Sequence, residues 1–292
     1  MTRLIQTLIS GLSLGSIYAL IALGYTMVYG IARLLNFAHG DVIMIGAYAG
    51  IVAVGQLGLP PLAAVVLSVV LCAALGMLIE LLAYRPLRQA APLSVLITAI
   101  GVSYFLQNLA LLLFGSQQQA YPTLLSLPPV TLGGVSIDGM ALLTLAVTAA
   151  IMLVLTFFID RTRFGKAMRA VSEDRAAATL MGINVDRTIT LTFAIGSALA
   201  AVASIFYGLT YVYIKPTTGA MPGIKAFTAA VFGGIGSVPG AMLGGILLGL
   251  LEQFSKTYLS TLWADAIVFA VLVAVLIVRP TGLLGRELRE KV

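Results

Sequence analysis

The chain has 292 residues, 60% hydrophobic and 10% charged, with a mean hydropathy of +1.06 and a formal net charge of +6. Soluble domains carry about 25% charged residues, and a soluble fold of this length has no interior able to hide so much apolar surface, so a soluble globular protein is excluded. No basic patch is interleaved with aromatics, which removes nucleic acid as a partner, and the single cysteine, Cys72, excludes a disulfide framework or a cysteine-based metal site within one chain.

Repeated apolar runs of 18 residues or more, without strand-like alternation, predict an all-α, polytopic helical membrane protein. We expect seven to eight transmembrane helices plus a broken or re-entrant Gly-rich helix pair, in one transmembrane domain over residues 1–292 that contacts lipid. The first span, 5–30, runs on past Tyr25 and is too long for a signal-peptide core, so no cleavable signal is expected. "NFAHGD" (Asn36 to Asp41) then brings polar groups to the start of the second span, 40–57. Such groups are costly in hydrocarbon and usually face protein or a water-filled cavity. Asn36, Phe37 and His39 are therefore candidates for the border or gate of a translocation path. The competing reading is a capped helix start, with Asp41 or Asn36 accepting from the first amides. His39 is the only histidine, which argues against a metal site.

The third span, 62–84, holds Cys72 as a small buried hydrophobe and carries Glu80 one turn before Arg85, as an anchor or a local ion pair. In the fourth, 93–114, Gln107 and Asn108 are suited to hydrogen bonding between helices. The loop 115–138 has one acid and no base. The fifth and sixth spans, 139–159 and 188–212, flank a charged stretch at 160–187. Next come two apolar arms, 224–235 and 240–256, joined by "GGIGSVPG". The first arm, about 12 residues, covers only about 18 Å of a hydrocarbon core about 30 Å thick. Gly233, Gly234, Gly236, Pro239 and Gly240 are expected to form a hinge whose irregular tip lies in the protein interior. The last span is 262–278. Glu252 and Asp265 are read as snorkelling to the outer interface.

Twelve of the 17 basic residues (Arg85, Arg88, Arg161, Arg163, Lys166, Arg169, Arg175, Arg187, Arg279, Arg286, Arg289 and Lys291) fall on one side if the pair 224–256 starts and ends on the other. The positive-inside rule makes the basic side cytoplasmic and puts loop 115–138 and the N-terminus outside. Were 31–57 re-entrant, the N-terminus would be inside instead.

The stretch 160–187 is too polar to insert. Within it "SEDRAAATLMG" predicts a short helix: Ser172 as N-cap, Glu173 and Asp174 in the first turn, three alanines, and Gly182 as the stop. A helix with one small, apolar side and charged ends suits a partner's groove; a solvated connecting loop is the plainer alternative.

"AAATLMG" (Ala176 to Gly182) resembles the Glu-Ala-Ala-x-x-x-Gly coupling motif of ABC importer permeases, with Ala176 standing where the motif has Glu. "GLSLGSIYALIALGYTMVYGIARLLNFAHGDVIMIGAY" (Gly11 to Tyr48), "FTAAVFGGIGSVPGAMLGG" (Phe227 to Gly245) and "VRPTGLLG" (Val278 to Gly285) resemble the LivH family of branched-chain amino-acid ABC transporter permeases, in matching order and spacing. The resemblance implies a multi-pass permease subunit of the bacterial inner membrane, importing branched-chain or other hydrophobic amino acids. It implies a second permease (a LivM-like one, or a second copy), two cytoplasmic ABC ATPases and a periplasmic or extracellular solute-binding protein. ATP-driven coupling would run through Glu173, Asp174, Arg175, Ala176, Ala177, Ala178 and Gly182. The sequence has no G-x-x-x-x-G-K-[S/T] loop, so no cofactor is expected in this chain, and ATP and Mg would be bound by the ATPases. Family relatives that carry urea or short amides, and an ion-coupled secondary transporter, are the alternatives.

Overall fold

The computed structural model describes residues 2–132 and 135–285; Gly133 and Gly134 of the long loop, and Arg286, Arg289 and Lys291 of the basic set, lie outside the described residues. The described chain is helical apart from two short β-pairs. The helices are α1 (Thr2–Ala32), α2 (His39–Ile51), α3 (Pro61–Ile79), α4 (Pro92–Phe114), α5 (Gly139–Arg161), α6 (Arg163–Glu173), α7 (Arg175–Leu180), α8 (Val185–Tyr211), α9 (Ala220–Gly233), α10 (Val238–Phe254) and α11 (Ala264–Val278). Single π-helical turns extend α2, α3 and α10 through Gln56, Tyr84 and Leu259. Strand β1 (Gln119–Ala120) pairs antiparallel with β4 (Tyr213–Ile214), and β2 (Val130–Leu132) with β3 (Val135–Ile137).

Helix boundaries follow local chemistry. Pro61 and Pro92 start α3 and α4, where the missing N–H is harmless. Thr162, Asn184 and Ser237 cap α6, α8 and α10 by accepting from the amides of Gly165, Arg187 and Gly240. Gly115, at φ +79°, ends α4.

Among the described residues six helices are long and apolar enough to cross a bilayer: 2–32, 61–87, 92–114, 139–161, 185–211 and 238–259. The expected spans 40–57 and 262–278 correspond to shorter apolar helices, 39–55 and 264–278. The protein is thus a polytopic helical membrane protein; 238–259 is long and apolar enough to cross, and the 14-residue α9 is a shorter arm.

The backbone contacts fall into two compact units. The first comprises the described parts of 1–26, 126–153 and 225–292. Here α1 packs on α10 through glycines. A Cβ at Gly15 would lie 2.7 Å from Ile246 Cα, and one at Gly245 or Gly249 would strike the backbone of Ala19 or Gly15. Closeness of this kind replaces the hydrophobic drive that lipid removes between helices. Arg3 donates to the Thr257 carbonyl (2.9 Å) and Gln6 to that of Ser136 (3.4 Å), so α1 begins beside the long loop and the α10–α11 turn.

Two expectations are corrected in this unit. The glycine tip is only partly interior: Gly233, Gly234 and Gly240 are buried but Gly236 and Pro239 are exposed, and the Leu283 and Leu284 amides donate to the Phe232 and Gly233 carbonyls (both 2.9 Å). The tip therefore sits beside the chain leaving α11, at the end where the basic tail begins, while Gly234 (φ +107°) and Gly236 (φ +92°) supply the left-handed turn. Nor does Glu252 snorkel. It is fully buried and accepts from Tyr18 Oη (2.9 Å), Lys225 Nζ (2.9 Å) and Lys256 Nζ (2.6 Å). Lys225 also pairs with Asp265 (2.6 Å), which is about half exposed. Charges compensated this way have no need to reach the interface.

The second unit comprises 27–125 and 154–224. Its centre is α8 packed along α2 and α3. A Cβ at Gly46 would lie 2.6 Å from Ser204 Oγ, and one at Gly76 would strike Ser197. The β1–β4 pair closes one end. The chain then returns inward, so that Gly219, just before α9, lies against Gly40 in the first turn of α2, and a Cβ at Gly40 would stand 2.6 Å from the Gly219 oxygen.

Candidate functional site

The charged stretch folds as two helices rather than one. Helix α6 buries Met168 and Val171 and continues through Ser172 to Glu173, so the expected Ser172 cap is corrected: its hydroxyl donates back to the Arg169 carbonyl (2.7 Å). The break falls at Asp174, whose backbone is extended (φ −153°, ψ 114°). Its carboxylate accepts from the amides of Ala176 (2.8 Å) and Ala177 (3.0 Å), placing a full negative charge at the start of α7. Glu173 accordingly ends α6 rather than opening α7.

Helix α7 holds Arg175, Ala176, Ala177 and Ala178, with Ala178 buried. It closes in a Schellman turn: Ile183 N–H donates to the Ala178 carbonyl and Gly182 N–H to that of Thr179 (both 3.0 Å), with Gly182 at φ +79°. Nothing lies near the position of a Gly182 Cβ, so its requirement is conformational. This turn presents Leu180 and Met181 to solvent at 89% and 81% exposure.

The tip is tied to the spans. Arg175 donates to the Ala32 carbonyl at the end of α1, and Arg33 donates to the Ser172 carbonyl (3.2 Å) near the end of α6. Each guanidinium thus satisfies a helix-end carbonyl of the other segment. Arg33 has φ +52°, a left-handed conformation costly for a non-glycine residue. Burial, then the neighbouring charges of Arg88 and Arg33, hold the Arg175 guanidinium below its ordinary pKa.

Beyond Gly182, the first turn of α8 is clamped to the end of α3. Asp186 pairs with Arg85 and Arg88, Arg88 also pairs with Glu80, and Thr190 donates to Glu80. Glu80 is buried, and its charged partner is Arg88 rather than the nearer Arg85.

The gate candidates lie around the start of α2. Asn36 and His39 are buried, and Phe37 is half-buried. The capped-start alternative is corrected: the N-cap is Ala38, without a side-chain cap bond. Asn36 instead accepts from Tyr84 Oη (3.0 Å), and Asp41 accepts from Gln107 Nε2 (2.9 Å), the interhelical bond anticipated for Gln107. Asn108 bonds within α4, to the Tyr104 carbonyl (2.7 Å). The glycine hinge belongs to the other unit. Sequence reasoning missed Arg33 and Lys225; the signal for each was an isolated base beside or within an apolar run.

Residues 7–276 match the family described as "Branched-chain amino acid transport system / permease component". The chain belongs to this permease family. It is 49% identical to the "High-affinity branched-chain amino acid transport system permease protein BraD" of Pseudomonas aeruginosa, over 99% of this chain and 98% of that one. It is 48% identical to the corresponding protein LivH of Escherichia coli K12, over 99% and 97%. A LivH of Methanocaldococcus jannaschii described as probable is 26% identical over 94% and 90%. Among solved structures, "PsaBC from Streptococcus pneumoniae in complex with Fab" is similar at a TM-score of 0.50 and 17% identity, covering 96% of this chain and 93% of that one, a likeness of fold alone. The permease therefore shares its family with branched-chain amino acid transport permeases along nearly its whole length.

Proposed function

We propose that the permease is the transmembrane subunit of an ABC importer for branched-chain or other hydrophobic amino acids in the bacterial inner membrane. Two cytoplasmic ABC ATPases bind ATP and Mg and drive it. A second permease, LivM-like or a second copy, completes the path, and a periplasmic or extracellular solute-binding protein delivers the substrate. The substrate class is supported by the names of its relatives BraD and LivH.

The observation that carries the ATPase coupling is the α7 tip. Its exposed Leu180 and Met181 give an ATPase groove an apolar anchor, while the arginine bonds to Ala32 and Ser172 and the clamp on Asp186 make the tip part of a rigid frame. A push on α7 is passed to the ends of α1 and α8 rather than absorbed by a loose loop. Rotation of those helices alters the surroundings of Asn36, Phe37 and His39, which we assign to the border of the path or its gate. Gly233, Gly234, Gly236, Pro239 and Gly240 serve as the hinge of the α9–α10 pair.

The test is reconstitution of the permease in liposomes with the ATPases, second permease and binding protein encoded beside its gene. Uptake of radiolabelled leucine that requires ATP is the expected result. Uptake driven by an ion gradient without ATP would establish a secondary transporter, and transport of urea in preference to leucine would move the substrate class to short amides.

A further inference from the structure

Within the second unit, the strap that leaves α4 inserts one aromatic side chain between α2 and α8. Residues 115–118 are exposed, β1 pairs with β4, and the Tyr121 amide donates to the Val212 carbonyl (2.6 Å). The Tyr121 ring then sits in a socket made by two glycines on different helices. A Cβ at Gly208, in the last turn of α8, would stand 2.7 Å from ring atom Cδ2, and one at Gly50, near the end of α2, would stand 2.7 Å from Oη. Any side chain at either position would take the place of the ring. Just past Gly50, α2 loosens into the π-turn Val52–Gln56, a form that recurs at functional sites.

The seat is tight, yet two features of it are unfavourable. Tyr121 is 5% exposed, and its hydroxyl has no hydrogen-bond partner among the described residues. The Tyr48 hydroxyl on α2 is likewise buried and unpartnered, with its ring stacked on Phe114 at the root of the strap (centroids 4.1 Å apart). A buried phenol without a partner costs free energy, and a phenylalanine would fill the socket without that cost. Val212, whose carbonyl receives the strap's amide, has φ +60°, a strained conformation for a β-branched residue. When the strap lifts, the ring loses its socket, but the Tyr121 hydroxyl reaches water and Val212 relaxes. These gains oppose the loss, so the seated and lifted forms are close in free energy.

We propose that Tyr121 is a detachable plug between the far ends of α2 and α8, and that it leaves its socket during transport, which makes it a positioning residue for that process. The near ends of the same helices carry the other parts of the path. Asn36, Phe37 and His39 lie around the start of α2, and Asp186 in the first turn of α8 is clamped to the end of α3. With the plug seated, the far ends of α2 and α8 are held together around one ring. With it lifted, they are free to shift when their near ends are pushed. The link to transport rests on the import function proposed above; the two-state plug stands on the socket alone.

The test uses the full complex reconstituted in liposomes and a variant that keeps the ring. Tyr121→Phe removes only the unpartnered hydroxyl, so it favours the seated form. Its thermal midpoint should equal or exceed that of the parent. Hydrogen exchange at the amide of residue 121 should slow by about fivefold or more, and ATP-driven leucine uptake by at least about threefold. A plug with a structural role alone predicts the same stability with uptake unchanged; that result, or unchanged exchange at residue 121, would overturn the proposal. A second measurement pairs Tyr121→Cys with Gly208→Cys, which replaces ring and socket together. Tyr121 Cγ lies 2.8 Å from the position of a Gly208 Cβ, so the two Cβ atoms are within reach of a disulfide. Oxidation is expected to cut uptake at least about tenfold, and reductant to restore it, because the strap can no longer lift. Full uptake by the cross-linked complex would overturn the proposal. Normal import by parent and Tyr121→Phe alike would remove the plug and keep the import reading. Slowed exchange in Tyr121→Phe, in a complex that takes up no leucine with ATP, would keep the plug and remove the import reading.

Discussion

Glu252 offers a quantitative test of the first unit's interior. Glu252→Gln keeps the shape of the side chain and removes its charge. Tyr18 Oη retains an acceptor, but Lys225, whose side chain is only 8% exposed, is left with Asp265 as its one counter-ion. Lys256, 27% exposed, can turn toward water. Breaking a buried pair costs about 3–5 kcal/mol, and the retained Asp265 places this case at about 3. At roughly 2–4 °C per kcal/mol for chains of this order of size, thermal unfolding in a fixed detergent should fall by about 6–12 °C. The double variant Glu252→Gln with Lys225→Met removes both charges and should recover more than half of that loss, because no buried ion is left alone. Asp265→Asn, at a half-exposed position, should shift the midpoint by no more than about 2 °C. A Glu252→Gln midpoint within 2 °C of the parent, or a double variant less stable than the single, would refute the claim that this cluster is a desolvated ion network.

Four further outcomes follow from named contacts. Asp174→Ala should destabilise α7 by about 1 kcal/mol and speed amide exchange at Ala176 and Ala177, with α6 unchanged. Gly245→Val should prevent accumulation of folded protein in the membrane, because its Cβ meets the Ala19 backbone. Gly182→Ala should only lower thermal stability slightly, by about 1 kcal/mol for left-handed backbone in open space. Arg88→Leu strands the buried Glu80 with Thr190 alone and should cost about 3–5 kcal/mol, seen as a fall in thermal midpoint that Glu80→Gln in the same chain partly reverses.

Much of the fold could be read from hydropathy, since long apolar runs and prolines mark α3 and α4 and their boundaries. The short first arm of the Gly-rich pair was also visible, because 14 residues of α9 are too few to cross. The exposure of Gly236 and Pro239 was not legible, because the tip packs on the remote segment 282–285, whose amides reach the Phe232 and Gly233 carbonyls. The α6–α7 boundary was ambiguous because Ser172 and Asp174 are both capping residues. Burial of Met168 and Val171 carries α6 past Ser172, and only then does Asp174 cap. Partners of Glu252 were illegible for a different reason: Tyr18 and Lys225 come from other helices, and side-chain periodicity reports which face is buried but never what it meets. The coupling candidates, by contrast, are contiguous in sequence, and the Schellman turn at Gly182 followed from glycine's freedom at positive φ.

The measurement that bears most directly on the account is co-purification of the ATPases encoded beside the gene with the intact permease and with the double variant Leu180→Asp, Met181→Asp. Both positions are almost wholly exposed, so the variant should insert and melt as the parent does. Loss of the ATPases from a normally folded variant is the predicted result. Undiminished ATPase binding would contradict the assignment of α7 as the coupling element.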